Sequence, residues 1–244
     1  MIVPLMGSRN AGSAKMLKGK TYSLLFFLSD EQSEWSYIEK QRIVQQITDA
    51  EIWLVEQASK YNHTLQFEHG FFGWDQDIHF GNMPQGNRSG KEDVFLTNKI
   101  IQKVGYTSQS QLMEHIPADN IQLLFLFKRD GVSYAFPYSP NVADEFFLEG
   151  MSIYHRFNEK TPQCTSCIAH EMLHLFGAWD LYQSFQTTKA QEDQAKKQFP
   201  NSIMLRTSYN IDELSIDPVT AWRIGWVDDL PKGSEFFRPI PQPQ

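Results

Sequence analysis

The chain reads as an α+β protein, a mixed layer of strands and helices followed by a mostly irregular and helical C-terminal part. Three observations predict this. The continuous apolar runs LLFF at 24–27 and LLFLF at 123–127 have the length and composition of buried strands. Between them lies a long stretch with apolar residues at three- and four-residue steps, the period of an amphipathic helix. After about residue 160 the strand-like segments give way to helical ones, so a mixed layer of strands and helices is followed by a mostly helical part.

In order, TYSLLFFL at 21–28 is the first strand and ends at the polar SDEQSE. A helix follows from about Glu34 to Tyr61, with Ile43, Ile47, Ala50, Leu54, Ala58 and Tyr61 on one face. Thr64 to Phe72 is a second strand, and the Gly-, Asn- and Asp-rich segment from Gly73 to Gly90 reads as a loop. Helices are expected over Glu92–Val104 and Ser108–Ile116. Ile121–Phe127 is the clearest buried strand, with a turn at Asp130-Gly131. Val132–Tyr138 returns as an edge strand, because Pro137 and Pro140 do not suit a sheet interior, and Phe146–Phe157 is a further strand. Thr161-Pro162 then opens a helix that stops near Gly177: Thr suits an N-cap and Pro the first helical position. Another helix spans about Thr188–Phe199, and IDPVTAWRIGW holds a last one entered from Asp217-Pro218.

A length of 244 residues suits one large domain or two tightly packed lobes, and 41% hydrophobic content builds a core without disulfide staples. A formal charge of −7, with Lys196–Lys197 the most notable basic pair, argues against nucleic acid as a partner. The apolar runs are too short for a transmembrane segment. Residues 1–20 lack an apolar stretch with a cleavage site and read as a flexible lead-in, so cytoplasmic residence is favoured, with secretion open if a leader has been removed. Cys164 and Cys167 are spaced C-x-x-C, compatible with a disulfide, free thiols or a redox pair.

The chemistry concentrates in CIAHEMLHLFGAWD, Cys167 to Asp180. On a helix, His170 and His174 lie about 40° apart and roughly 6 Å along the axis, so both imidazoles reach one cation. Glu171 sits beside them, placed to act on a water that the metal polarises; HExxH is the spacing that metal-assisted peptide hydrolysis on a helix requires. Gly177 can take a left-handed conformation that breaks the helix, and Asp180 then approaches as third ligand. The sulfur of Cys164 is about 15 Å of helix from His174, too far to share the ion.

HEMLHLFGAWD resembles the HExxHxxGxxD form of the extended signature of the metzincin zinc metallopeptidases, with aspartate as third ligand as in the snapalysin type. The resemblance implies Zn2+ held by His170, His174 and Asp180, with Glu171 as general base and acid. It also implies a Met-turn at Asn201-Ser202-Ile203-Met204, with Met204 supporting the site. The resemblance further implies a single metallopeptidase domain over 21–244: an upper lobe to about 177 with a twisted mixed sheet and two long helices, a small irregular and helical lower lobe from about 178, and the active-site cleft between. An edge strand there binds extended peptide or protein substrate, and Val132–Tyr138 is the candidate. One departure is that Arg206 occupies the place where several members carry tyrosine; Arg206 and Tyr209 are the alternatives for polarising the carbonyl.

Two other readings compete. Glu192, 18 residues after His174, is the third ligand in a different class of zinc peptidase, although KAQEDQAKK reads as a solvated face. The protein is otherwise a catalytically silent binding module, against which the intact Glu171 speaks. Asp75, Asp77 and His79 are a weaker candidate for a second ion, and His115 and His155 read as structural.

Overall fold

The computed structural model describes residues 17–83, 90–136, 150–184 and 186–238. Its centre is a mixed sheet built from β1 (Gly19–Asp30), β2 (Leu65–Phe72), β4 (Asn120–Asp130), β5 (Tyr134–Phe136) and β6 (Gly150–Asn158), in the order β2-β1-β4-β6-β5. β2, β1, β4 and β6 run parallel, and β5 lies antiparallel to β6 at the edge. Two short strands extend it, β3 (Ile78–Phe80) on β1 and β7 (Thr161–Pro162) on β6.

The two apolar runs are continuous because both faces of the sheet are covered. Leu25, Phe27, Leu124 and Leu126 face one way, into a cluster shared with α1 (Tyr37–Lys60) and α4 (Thr165–Leu175). Leu24, Phe26, Leu123 and Phe125 face the other, under α2 (Gly90–Lys103) and α3 (Gln109–Met113). The first cluster also takes in Ile203, Met204, Ile216, Val219 and Trp226 of the C-terminal part, so α4 is packed from above and below.

α1 is 24 residues long and starts with a capping box: Ser36 accepts from the Glu39 N–H, and the Glu39 carboxylate accepts from the Ser36 N–H. α5 (Lys189–Gln198) is capped in the same way by Thr188 and Gln191. α6 (Pro218–Arg223) has Pro at its start and Asp217 as N-cap, as the sequence predicts.

Four expectations change. Residues 1–16 of the expected lead-in lie outside the described residues, and Leu17 is not a lead-in: it is fully buried and its carbonyl accepts from Trp226 Nε1 at 2.5 Å. The segment 73–90 contains β3. The expected strand at 146–157 is described from Gly150 and runs on to Asn158, its residues 146–149 lying outside the described residues, as do Pro137 and Tyr138 of the edge strand. Thr161-Pro162 does not open a helix but pairs with Asn158 and Arg156, and Cys164 takes the N-cap. Strand pairing at that point outweighs the local preference of Thr-Pro for a helix start.

Asp77 is not an ion site. Its carboxylate holds Lys40 Nζ at 2.6 Å and the Trp35 N–H at 2.9 Å, and the same ammonium reaches the carbonyls of Gly73 and Trp74. Lys40 is buried, so its charge stands where a bound cation would; Asp75 and His79 are exposed. Replacing Lys40 by alanine leaves a carboxylate and two carbonyls unmatched, and is expected to lower the unfolding free energy by about 3 kcal/mol. Asp75→Ala is expected to change it by less than about 0.5 kcal/mol; urea denaturation of the two variants checks the contrast.

Candidate metal centre

α4 begins at Cys164, whose sulfur accepts the Cys167 N–H, and places His170 and His174 one turn apart on its side. The helix stops where the sequence says it must. Gly177 has φ +95°, its N–H donates to His174 O at 3.1 Å, and the Ala178 N–H donates to Leu173 O at 3.1 Å. This pair of bonds is a Schellman motif, which needs a left-handed residue at the Gly177 position. The turn points the Ala178 carbonyl at His174, whose Nδ1 lies 2.9 Å from it.

His170 is fixed from a different part of the chain. Its Nδ1 donates to the carbonyl of Ile203 at 2.9 Å. Ile203 sits in the Asn201–Met204 turn, which is itself pinned because Ser202 Oγ donates to the N-cap carboxylate of Asp217 at 2.7 Å and accepts the Met204 N–H at 3.1 Å. The Met204 carbonyl in turn accepts the Leu181 N–H at 2.7 Å, tying the segment after Asp180 to the same turn. Met204 is fully buried in the cluster that holds Met172 and Leu173.

Both imidazoles therefore present Nε2 inward, with Nδ1 committed as a donor. His170 Nε2 and His174 Nε2 are 3.1 Å apart, and Asp180 Oδ1 lies 3.1 and 3.2 Å from them. Although these contacts are short, Asp180 Oδ1 is buried without a hydrogen-bond partner of suitable geometry. Three acceptor atoms facing one another repel unless a cation or a shared proton lies among them. Ligand atoms about 2.0–2.1 Å from a tetrahedral ion stand about 3.4 Å apart, close to the spacing found, so the residues fit a divalent metal. Glu171 completes the cluster: ligand-type atoms of His170, Glu171 and His174 all lie within 4.8 Å of one another. The tighter triangle through Asp180 is the better ligand set, because Glu171 Oε2 is engaged by the Ala135 N–H of β5 at 2.7 Å.

Electrostatics agree with this division. Burial pushes the Glu171 carboxyl above its usual range, with the two imidazoles pulling against it. Burial opposes the ionisation of Asp180, but hydrogen bonds and charge from His170 and His174 hold it well below the usual carboxylate range. In the ion-free protein burial would lower His174, yet the Asp180 hydrogen bond and the charges of Glu171 and Asp180 push it up to about 9.

Tyr182, two residues past Asp180, is a site residue that periodicity does not reveal. Its ring is stacked on His170 with centroids 6.2 Å apart and planes 12° apart. Burial, then the Asp180 charge, raises the phenol above its ordinary value. Trp179 is held by the buried Arg223, whose guanidinium lies 3.5 Å from the ring centroid, so Asp180 has an anchored neighbour on each side.

Other sequence candidates lie elsewhere. The Glu192 carboxylate is paired with Lys196 and Lys189 and accepts the Gln183 N–H at 3.4 Å. Arg206 donates to Pro200 O and Asn201 Oδ1, and Tyr209 is 68% exposed. His155 packs edge-on against Trp35, and burial together with Lys128 and Arg156 lowers it to about 4. Cys167 is neither free nor simply packed against the sheet; it is bonded to Cys164.

No protein-family model matches the chain, and no curated protein matches it in sequence.

Two outcomes are expected. A raised His174 value means that its proton stabilises the ion-free fold below the unfolded value of 6.5, a contribution lost as pH climbs through about 9. A metal must displace that proton, so affinity should rise about tenfold per pH unit below that point and level off above it. Chelator competition across pH reads this, and a flat profile would remove His174 from the ligand set. Tyr182→Ala removes the ring stacked on His170 and should weaken metal binding about 10-fold, read by the same chelator competition.

Proposed function

We propose that the protein is a zinc-dependent endopeptidase of the metzincin type. The observation that carries this reading is the convergence of His170 Nε2, His174 Nε2 and Asp180 Oδ1 within 3.1–3.2 Å beside the half-buried Glu171. Two neutral imidazoles and one carboxylate suit zinc and leave a coordination position open, the arrangement of catalytic rather than structural sites. Bound there, zinc supplies Lewis acidity that makes water a nucleophile at neutral pH and polarises the scissile carbonyl.

The chain's own groups do the rest. Glu171 Oε2 is anchored by the Ala135 amide, which leaves Oε1 to take the proton of the attacking water and hand it to the departing amine. Burial of Glu171 raises its proton affinity, which suits a group that must accept and then release a proton.

Substrate placement follows from the sheet edge. The Ala135 N–H points away from β6 toward Glu171, and in an antiparallel strand the carbonyl of the same residue points the same way. An extended peptide adding alongside β5 would meet those groups and bring a peptide bond to Glu171. The mixed sheet, the long α1, the glycine-ended α4 and the buried Met204 turn are further support for the metzincin reading.

The test is cleavage of casein or a quenched peptide library by metal-loaded protein. Cleavage should stop on chelation and return with zinc. Glu171→Gln should retain zinc but lose at least about 100-fold in kcat. Asp180→Ala should lose zinc while Glu192→Ala keeps it; the reverse would assign the protein to the class that takes its third ligand from a second helix. Zinc binding with no cleavage of any peptide, and no difference between wild type and Glu171→Gln, would leave a binding module.

A further inference from the structure

Cys164 and Cys167 form a disulfide at the front of α4, and the proposed hydrolysis gives it no role. A structural staple is a poor account of it. The bridge spans a sequence separation of 3, and the restriction a disulfide places on the unfolded chain grows with the length of the loop it closes. The helix start is also held without it. Ser166 Oγ donates to Ser208 O at 2.6 Å and accepts the Ser208 N–H at 2.9 Å. Gln163 donates to Ser133 Oγ at 2.5 Å, and Gln46 donates to Gln163 O at 2.9 Å.

The two sulfurs are unequal. Cys164 is 8% exposed, whereas Cys167 is half-buried and so the easier to approach. Cys164 is the N-cap of an 11-residue helix; its sulfur accepts the Cys167 N–H at 3.1 Å and lies 3.4 Å from Ser166 Oγ. Negative charge arriving on Cys164 therefore meets the positive end of the helix and the Cys167 N–H, which makes it the better leaving group.

We propose that Cys164–Cys167 is an exchangeable redox pair, opened by an external thiol that attacks Cys167 Sγ and expels Cys164. The incoming thiolate bonds to Cys167 as the protein S–S bond breaks, and the electron pair leaves on Cys164 Sγ. A second external thiolate attacks the outer sulfur of the mixed disulfide and releases Cys167. Two external thiols become one disulfide, and the protein pair gains two electrons and two protons. The contacts that orient His170 and His174 come from Ile203 and the Gly177 turn rather than from the head of α4, so reduction leaves the metal centre assembled.

The proposal does not depend on peptidase activity. Folded, full-length protein is equilibrated in glutathione buffers of stepped reduced-to-oxidised ratio, and thiols are trapped by alkylation and counted by mass. Both cysteines should pass together from disulfide to dithiol within the series, with the far-UV spectrum unchanged. Challenged with oxidised glutathione, C164S, which keeps the accessible Cys167, should form a mixed disulfide about tenfold or more faster than C167S. A pair that stays oxidised until denaturant unfolds the chain, or that remains a dithiol in oxidised glutathione, overturns the proposal. Equal rates for the two variants overturn the assigned direction of attack.

Discussion

Three electron-rich atoms held within 3.1–3.2 Å of one another are the constraint around which the C-terminal half is organised. Two imidazole nitrogens and a carboxylate oxygen do not converge unaided, since each would sooner face water. Rigid neighbours impose the convergence. The Schellman turn fixes His174 through Ala178, the Asn201–Met204 turn fixes His170 through Ile203, and Leu181 returns a bond to Met204. Every one of these contacts is a backbone group acting on a side chain or on another backbone group. Such contacts are set by the path of the chain more than by rotamer freedom, which is how a site is kept ready for an ion.

The sheet serves the same centre from the other side. Its parallel interior is buried on both faces and supplies rigidity, whereas β5, antiparallel to β6, brings its backbone beside α4. The bond from the Ala135 N–H to Glu171 joins the two. It separates the two carboxylates: Asp180 lies against the imidazoles, and Glu171 is drawn toward the strand. The C-x-x-C pair stands at the far end of α4 from the glycine turn, and so belongs to the helix without belonging to its metal face.

The motif HEMLHLFGAWD was legible because its geometry is local: helical spacing sets the histidines, and a glycine three residues later sets the turn. LLFF and LLFLF were legible because strands covered on both faces lose the alternation that edge strands keep. Tyr182 was not, since a residue in irregular chain has no period, and only the fold of 178–184 turns its ring onto His170. Lys40 was hidden for a related reason. Its position in α1 looks like any polar helix residue until the loop carbonyls of Gly73 and Trp74 close around its ammonium. Thr161-Pro162 misled because a good local helix signal lost to pairing with β6.

The amino-acid sequence alone determined the α+β class, the main strands and helices, and the closeness of His170, Glu171 and His174 on one helix, because each rests on period or length. The tertiary structure decided what those side chains present to one another. Ile203, Ala178 and Ala135 contribute through carbonyls and an amide that every residue type carries, so no letter of the sequence could mark them. It also set Asp180 apart from Glu192: chain direction after Gly177 brings the aspartate to the imidazoles, while neighbouring lysines on α5 hold the glutamate. Contacts made by backbone groups across distant segments are a property of the path, and the path exists only once the core has closed.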